Sequence, residues 1–253
     1  MKTLHDTWLI FQRNLTAVLR NPVWVIIGLI QPILYLGLFA PLLDGIATGP
    51  GFPPGGALTV FLPGLLIQLA LFGAAFVGFG LIPELRSGLI ERMRVTPVSR
   101  LALFLGRAMR DILTLLVQAC VLVLVALPFG LKVDLVGFLL TLVLLILLGL
   151  VMTSFSYATA LALKSEDALA PVLNTVVLPT MLLSGVLLPM TLAPRWLRIV
   201  SSVNPLKHAV DATRALFTGH LTDSSVPLGL GIMAVLAVLA VWWAVQSFRQ
   251  ATA

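Results

Sequence analysis

The chain has 253 residues, 59% of them hydrophobic, with 16 Lys and Arg against 10 Asp and Glu. Soluble domains carry roughly 25% charged residues. At 10% charged and a mean hydropathy of +1.08 this chain falls outside that class, leaving a membrane-embedded protein. The net charge of +6 is scattered between apolar runs rather than gathered on one polar face, which excludes nucleic acid as a partner.

The first segment, 1–21, places Leu4, Trp8, Phe11, Leu15 and Val18 at alternating steps of four and three. That spacing predicts one apolar stripe on a helix lying in the membrane interface. Thr3 and Asp6 resemble a capping box at its start, and Asn21-Pro22 ends it. No apolar core precedes the first charges, so a cleavable signal peptide is not expected. Cys120 is the single cysteine, so neither an intrachain disulfide nor a zinc site built on cysteine pairs is available.

Six spans are predicted, at 23–43, 58–82, 108–129, 135–161, 169–188 and 227–248. Several hold prolines (Pro32, Pro63, Pro128 and Pro179) that can kink a helix. An even number of spans puts both termini on one side. Eleven cations then share that side, including Lys2, Arg13, Arg20, the arginines from Arg86 to Arg110, Lys164 and Arg249. Five fall opposite, at Lys132, Arg195, Arg198, Lys207 and Arg214, so the termini are expected in the cytoplasm. The outer loop 44–57 has no Lys or Arg.

The segment 83–100, PELRSGLIERMRVTPVSR, concentrates four arginines and two glutamates between apolar runs. Leu85, Leu89 and Met93 recur at intervals of four, with Ile90 beside them and Glu91, Arg92 and Arg94 on the remaining surface. Ser87-Gly88 and Thr96-Pro97 bound a short amphipathic helix. Arginines alone would serve topology. An apolar stripe and glutamates suit an element that fills a cleft on a protein partner.

Beyond it, Arg107, Arg110 and Asp111 sit at the expected mouth of the third span. The interval of four from Arg107 to Asp111 allows an ion pair on one face. Such a pair could snorkel at the interface or gate a path. Gln68, Phe72, Phe76 and Phe79, with Asn174 in the fifth span, are the candidate lining of a path for an amphiphile. The segment 189–226 is long for a loop. Trp196, Leu197, Ile199, Val200 and Val203 suggest a short helix dipping into the outer leaflet. Asn204-Pro205 turns the chain into a second short helix carrying Asp211 and Arg214.

The run from Glu84 through Gly88-Leu89-Ile90-Glu91-Arg92-Met93 to Thr96-Pro97-Val98-Ser99-Arg100, followed by Leu105-Gly106-Arg107, resembles the coupling segment of type-two ABC exporter permeases. Leu183-Ser184-Gly185, Pro189, Pro194, Trp196-Leu197, Asn204-Pro205-Leu206, Asp211 and Arg214 resemble a second motif of that family, and Asn21, Pro22 and Pro32 a third. The likeness is nearest to permeases paired with daunorubicin-resistance-type ATPases. Leu89-Ile90 and Lys207-His208 depart from its usual residues.

The resemblance implies an all-α integral membrane fold. One permease domain, 1–253, would hold six transmembrane helices, an interfacial helix, a cytoplasmic coupling helix and re-entrant outer helices that shape the exit. It implies a cytosolic ABC ATPase dimer as partner, with Glu84, Ser87 and Gly88 through Arg94 at the contact. A second permease, identical or different, would pair with this one, and spans one, two and five would rim the path. The chain has no G-x-x-x-x-G-K loop, so ATP and Mg belong to the partner and this chain carries no cofactor.

His5, His208 and His220 form no H-E-x-x-H, which argues against a membrane enzyme. A secondary transporter or a channel without an ATPase would be the alternative, but no ionisable group is expected near mid-bilayer. The topology is checked by impermeant thiol labelling of intact cells. Cysteine at Thr3 or Ser87 should be protected and cysteine at Gly49 labelled; the reverse pattern would invert the orientation.

Overall fold

In the computed structural model, residues 2–44, 57–87, 99–131, 133–187 and 190–251 are described, and their regular elements are all helical. Helix α1 (Lys2–Arg20) leads into α2 (Val23–Asp44). Helix α3 (Ala57–Ala75) continues through a 3-10 turn at Val77–Gly80 into the short α4 (Leu81–Arg86). Then come α5 (Arg100–Ala126), α6 (Leu135–Leu163), α7 (Glu166–Leu182), α8 (Arg195–Ser202), α9 (Pro205–Phe217) and α10 (Ser225–Ala251).

Four stretches are long and apolar enough to cross a bilayer: Leu58–Arg86, Leu101–Phe129, Leu135–Leu163 and Ser225–Gln250. A fifth arises if Thr3–Arg20 and Val25–Leu38, bent by 67°, count as one broken span. Helices α2 and α7 occupy the places of the first and fifth expected spans. At 17 residues α7 is shorter than the about 20 that crossing requires. The fold is therefore all-α and membrane-embedded, with four to five long apolar helices among the described residues. The expected coupling residues Gly88 through Arg94 lie outside them.

Local sequence explains the breaks. Pro83 has no N–H to give to Phe79, and its ring crowds that carbonyl, so the helix tightens into the 3-10 turn just before it. The Gly78 N–H finds the Ser156 hydroxyl at 2.9 Å instead. Helix α5 starts earlier than hydropathy suggests, because Ser99 caps it by accepting from the Ala102 N–H at 3.2 Å. Arg107, Arg110 and Asp111 consequently lie roughly two to three turns inside the helix rather than in its first turn.

Two cores hold the bundle. The larger joins α3, α5, α6, α9 and α10 through residues such as Leu66, Leu122, Leu145, Val210 and Met233. The smaller surrounds the aromatic trio Phe104, Tyr157 and Phe248, whose rings meet edge to face at 6.2–6.4 Å. Helix α3 lies at the centre of the bundle, with two-thirds of its apolar window buried.

The N-terminal helix corrects two sequence readings. Thr3 lies inside α1, where its carbonyl accepts from the Thr7 hydroxyl at 2.8 Å, so Thr3 and Asp6 form no capping box. The stripe also divides: Phe11 is buried beside Thr7, whereas Leu4 and Trp8 are exposed. Helix α1 is thus docked on α5 by a face centred on Thr7, Ile10 and Phe11. Gly106 permits that approach, since a Cβ there would fall 2.7 Å from Ile10 Cβ and 2.9 Å from the Thr7 carbonyl oxygen. Gly106→Ala should cost about 1–3 kcal/mol and make α1 more susceptible to proteolysis. Gly231→Ala, where a Cβ meets nothing within 4 Å, should do neither.

Candidate functional site

A cavity of about 1000 Å³ opens between the end of α1, the first half of α2, the second half of α3 and α5. Gln68, Phe72, Phe76 and Phe79 all line it, as the sequence anticipates. The helical steps from Phe72 to Phe79 keep the three rings on one side. Phe72 and Phe76 stack at 6.1 Å and 6°, and Phe76 and Phe79 at 5.9 Å and 26°. Asn174 is not part of this wall; it is exposed on α7.

Opposite the rings stands Gln118, a position the sequence marks only as a polar residue within an apolar run. Its Nε2 donates to the Val25 carbonyl at 2.8 Å, tying α5 to α2. Gly28 leaves the space, because a Cβ there would lie 2.7 Å from that nitrogen. The Gln68 side chain is only 4% exposed, and its Oε1 has no hydrogen-bond partner among the described residues.

The charged mouth differs from the expected pairing. Arg107 pairs with Glu84, not with Asp111. Asp111 pairs with its neighbour Arg110 at 2.8 Å and accepts from the Tyr157 hydroxyl at 2.6 Å. Spacing along α5 cannot reveal a partner brought in from α4 or α6. Arg110 and Asp111 line the cavity; Arg107 and Glu84 lie outside its wall. Arg107 and Asp111 are both buried, and Arg110 is partly exposed. Tyr157 is one of only two tyrosines, which was the available signal for it.

Of the expected ATPase-contact residues, Glu84 and Ser87 are described. The Glu84 carboxylate accepts from Arg107, and the Ser87 hydroxyl donates to the Glu84 carbonyl at 3.0 Å. An exposed ion pair at 3.8 Å from Arg86 to Glu166 links α4 to α7, and pairs of that kind contribute little.

Residues 190–217 form a cap built on the end of α7. A helix end leaves its last carbonyls without intrahelical donors. Asn204 donates to the Thr180 carbonyl at 2.6 Å, while its Oδ1 accepts from the Leu206 N–H and caps α9. Pro205 takes the first helical position, where a missing N–H costs nothing. Ser201, fully buried and not anticipated, donates to the Leu183 carbonyl at 2.6 Å. Arg214 donates to the Gly185 carbonyl at 2.7 Å and to Val60 of α3 at 3.2 Å. Burial lowers its guanidinium to about 10, which still leaves it charged at neutral pH. Asp211 pairs with Lys207 at 2.9 Å, one turn away on α9. Pro194 precedes α8, and Trp196 on α8 is exposed.

A helical membrane bundle with a cavity lined by aromatic and amide side chains and one ion pair fits a membrane transport protein. Residues 5–218 match the ABC-2 type transporter family, and the chain belongs to that family. It is 26% identical over 217 residues to a protein named as a transport permease, ycf38, from Cyanophora paradoxa, covering 85% of this chain and 75% of that one. It is 29% identical over 211 residues to its namesake from Pyropia yezoensis, covering 81% and 72%. It is 24% identical over 243 residues to the daunorubicin resistance ABC transporter permease protein DrrB1 of Streptomyces coeruleorubidus, covering 94% and 83%. Similarity spread across differently named relatives defines the family and no subtype within it. The chain is a membrane permease subunit of an ABC-type transporter, a transport subunit rather than a catalyst.

The cap yields a test. Arg214→Lys keeps a charge but replaces a fork of donors by one flexible ammonium. It should leave a buried carbonyl unpaired, cost about 1–3 kcal/mol, and lower the Tm of the purified permease. Lys207→Ala, which breaks only the partly exposed pair on α9, should shift it by less than half as much.

Proposed function

We propose that this chain is the transmembrane half of an ATP-driven exporter that moves an amphiphilic, drug-like or lipid-like substrate outward, energised by a separate cytosolic ABC ATPase dimer. The observation that carries the reading is the cavity: it is large, flanked by the end of α1, walled by three phenylalanines and holds the Arg110–Asp111 ion pair in its lining. An amphiphile in one leaflet could reach it sideways, with its apolar part against the rings. The name of DrrB1 favours a drug-like substrate and the daunorubicin-resistance-type subfamily.

The finer architecture follows from this reading. The chain has six spans in the inner or plasma membrane with both termini cytoplasmic, and a second permease, the same or different, completes the path. The 83–100 segment docks on the ATPase, which holds ATP and Mg. Arg107, Arg110 and Asp111 form the cytoplasmic gate, and the cap formed by α8 and α9 re-enters the outer leaflet. Glu84, at the start of the docking segment, pairs with Arg107 beyond its end, and Arg110 and Asp111 follow on the same helix in the cavity wall. Movement of the segment would therefore reach the wall through a short chain of contacts.

Burying Leu89 in a partner cleft would contribute roughly 1.5–3 kcal/mol, a factor of about ten or more in assembly. Leu89→Asp should abolish co-purification of the ATPase and ATP-driven transport while membrane insertion persists. Arg94→Ala should change recruitment far less. The permease purified free of its partner should hydrolyse no ATP. Normal recruitment by Leu89→Asp, or ATPase activity of the isolated permease, would refute the assignment.

A further inference from the structure

Arg110 and Asp111 are the charged residues among those lining the cavity. Their charges cancel. Asp111 Oδ1 lies 2.8 Å from the Arg110 guanidinium in an ion pair, and Oδ2 accepts from the Tyr157 hydroxyl. The next charges along the same helix and beyond it, Arg107 and Glu84, cancel each other outside the wall. The remaining polar lining is carboxamide and hydroxyl, which can hydrogen-bond a ligand but cannot neutralise a charge.

Two buried atoms in this wall have no partner among the described residues: Gln68 Oε1, an acceptor, and Arg110 Nε, a donor. A ligand head that hydrogen-bonds finds amide and hydroxyl side chains in this lining. A ligand head with net charge gains nothing comparable. It would give up its hydration in a wall that offers no counter-charge, the situation in which a buried ion is most penalised.

We infer that Arg110 and Asp111 form a charge filter: the cavity takes amphiphiles whose head has no net charge but carries hydrogen-bond donors and acceptors, and the balance between these two side chains sets that preference. The inference rests on the exporter reading for the role of the cavity, and it adds which molecules the cavity admits. Neighbouring residues on a helix do not face one another. The Arg110 guanidinium must fold along the helix to reach Asp111.

The test uses three fluorescent dodecyl probes that differ only in the head: a glucoside, a sulfate and a trimethylammonium. Binding to the purified full-length permease in nanodiscs is measured over empty discs without ATP. ATP-driven transport is then measured in proteoliposomes that also contain the ATPase. The wild type should bind the glucoside about tenfold or more better than either charged probe, the scale of one uncompensated charge in a protein-like dielectric.

Asp111→Asn should move the preference to the sulfate and Arg110→Gln to the trimethylammonium. The double variant, again neutral, should return it to the glucoside, a rescue that loss of packing would not produce. Gln68→Leu, which leaves the charges alone and removes a buried unpaired atom, should weaken the glucoside severalfold without loss of stability. It tests the site even if a charge variant fails to fold. Equal wild-type binding of all three probes would overturn the filter, as would a double variant that keeps either single variant's preference. ATP-driven transport indifferent to head charge would overturn the filter and leave the exporter reading intact. Discriminating binding with no ATP-driven transport of any probe would leave the filter and remove the exporter reading.

Discussion

Inside a bilayer a backbone carbonyl or a charge has no water to turn to, so every interruption of a helix must be answered by a group from elsewhere in the chain. This constraint organises the protein. Where Pro83 breaks the second long span, Ser156 meets the Gly78 N–H. Where α7 stops short, Ser201, Asn204 and Arg214 meet carbonyls at its end and in the turn that follows. Where the α2 and α5 backbones approach, Gln118 joins them. The polar residues of this apolar chain are, in the main, fastenings at places where regular hydrogen bonding fails.

The same constraint accounts for what the cavity contains. Among the described residues four buried side-chain atoms are unpaired: Thr153 Oγ1 and Ser154 Oγ on α6, Gln68 Oε1 on α3 and Arg110 Nε on α5. Gln68 and Arg110 line the large space between α1, α2, α3 and α5, as do the stacked phenylalanines. In an ordinary packing defect the wall would be apolar and dry. A wall that combines stacked rings, amides and a balanced ion pair has the chemistry of a binding surface.

Much of this was legible along the chain, for identifiable reasons. Span length is a property of continuous sequence, so 135–161 and 227–248 lie within α6 and α10. Asn204-Pro205 signals a turn into a second short helix, and α9 begins there, with Asn204 as its cap. The phenylalanines share a wall because they fall at helical intervals. The misreadings have one cause. Arg107 and Asp111 are correctly spaced for each other, but Glu84 and Tyr157 arrive from other helices and compete. Asn174 shares its polarity with Gln68 but not its helix face. The stripe on α1 has one periodicity and two neighbours, protein for Phe11 and the outside for Leu4 and Trp8. Local spacing supplies a residue's options, and long-range packing selects among them.

The seat of α1 on Gly106 also bears on how the protein is made. The helix leaves the ribosome before α5, since the surface it docks on is translated about a hundred residues later. Between those moments Phe11 has no protein to cover it. A nascent chain can only park such a helix at the lipid headgroups, which its one-sided apolar pattern permits. The helix is then drawn off the surface when α5 has been inserted. A defect at this contact would therefore arise late in biogenesis, in chains whose spans are already threaded, and would resemble faulty assembly more than failed insertion.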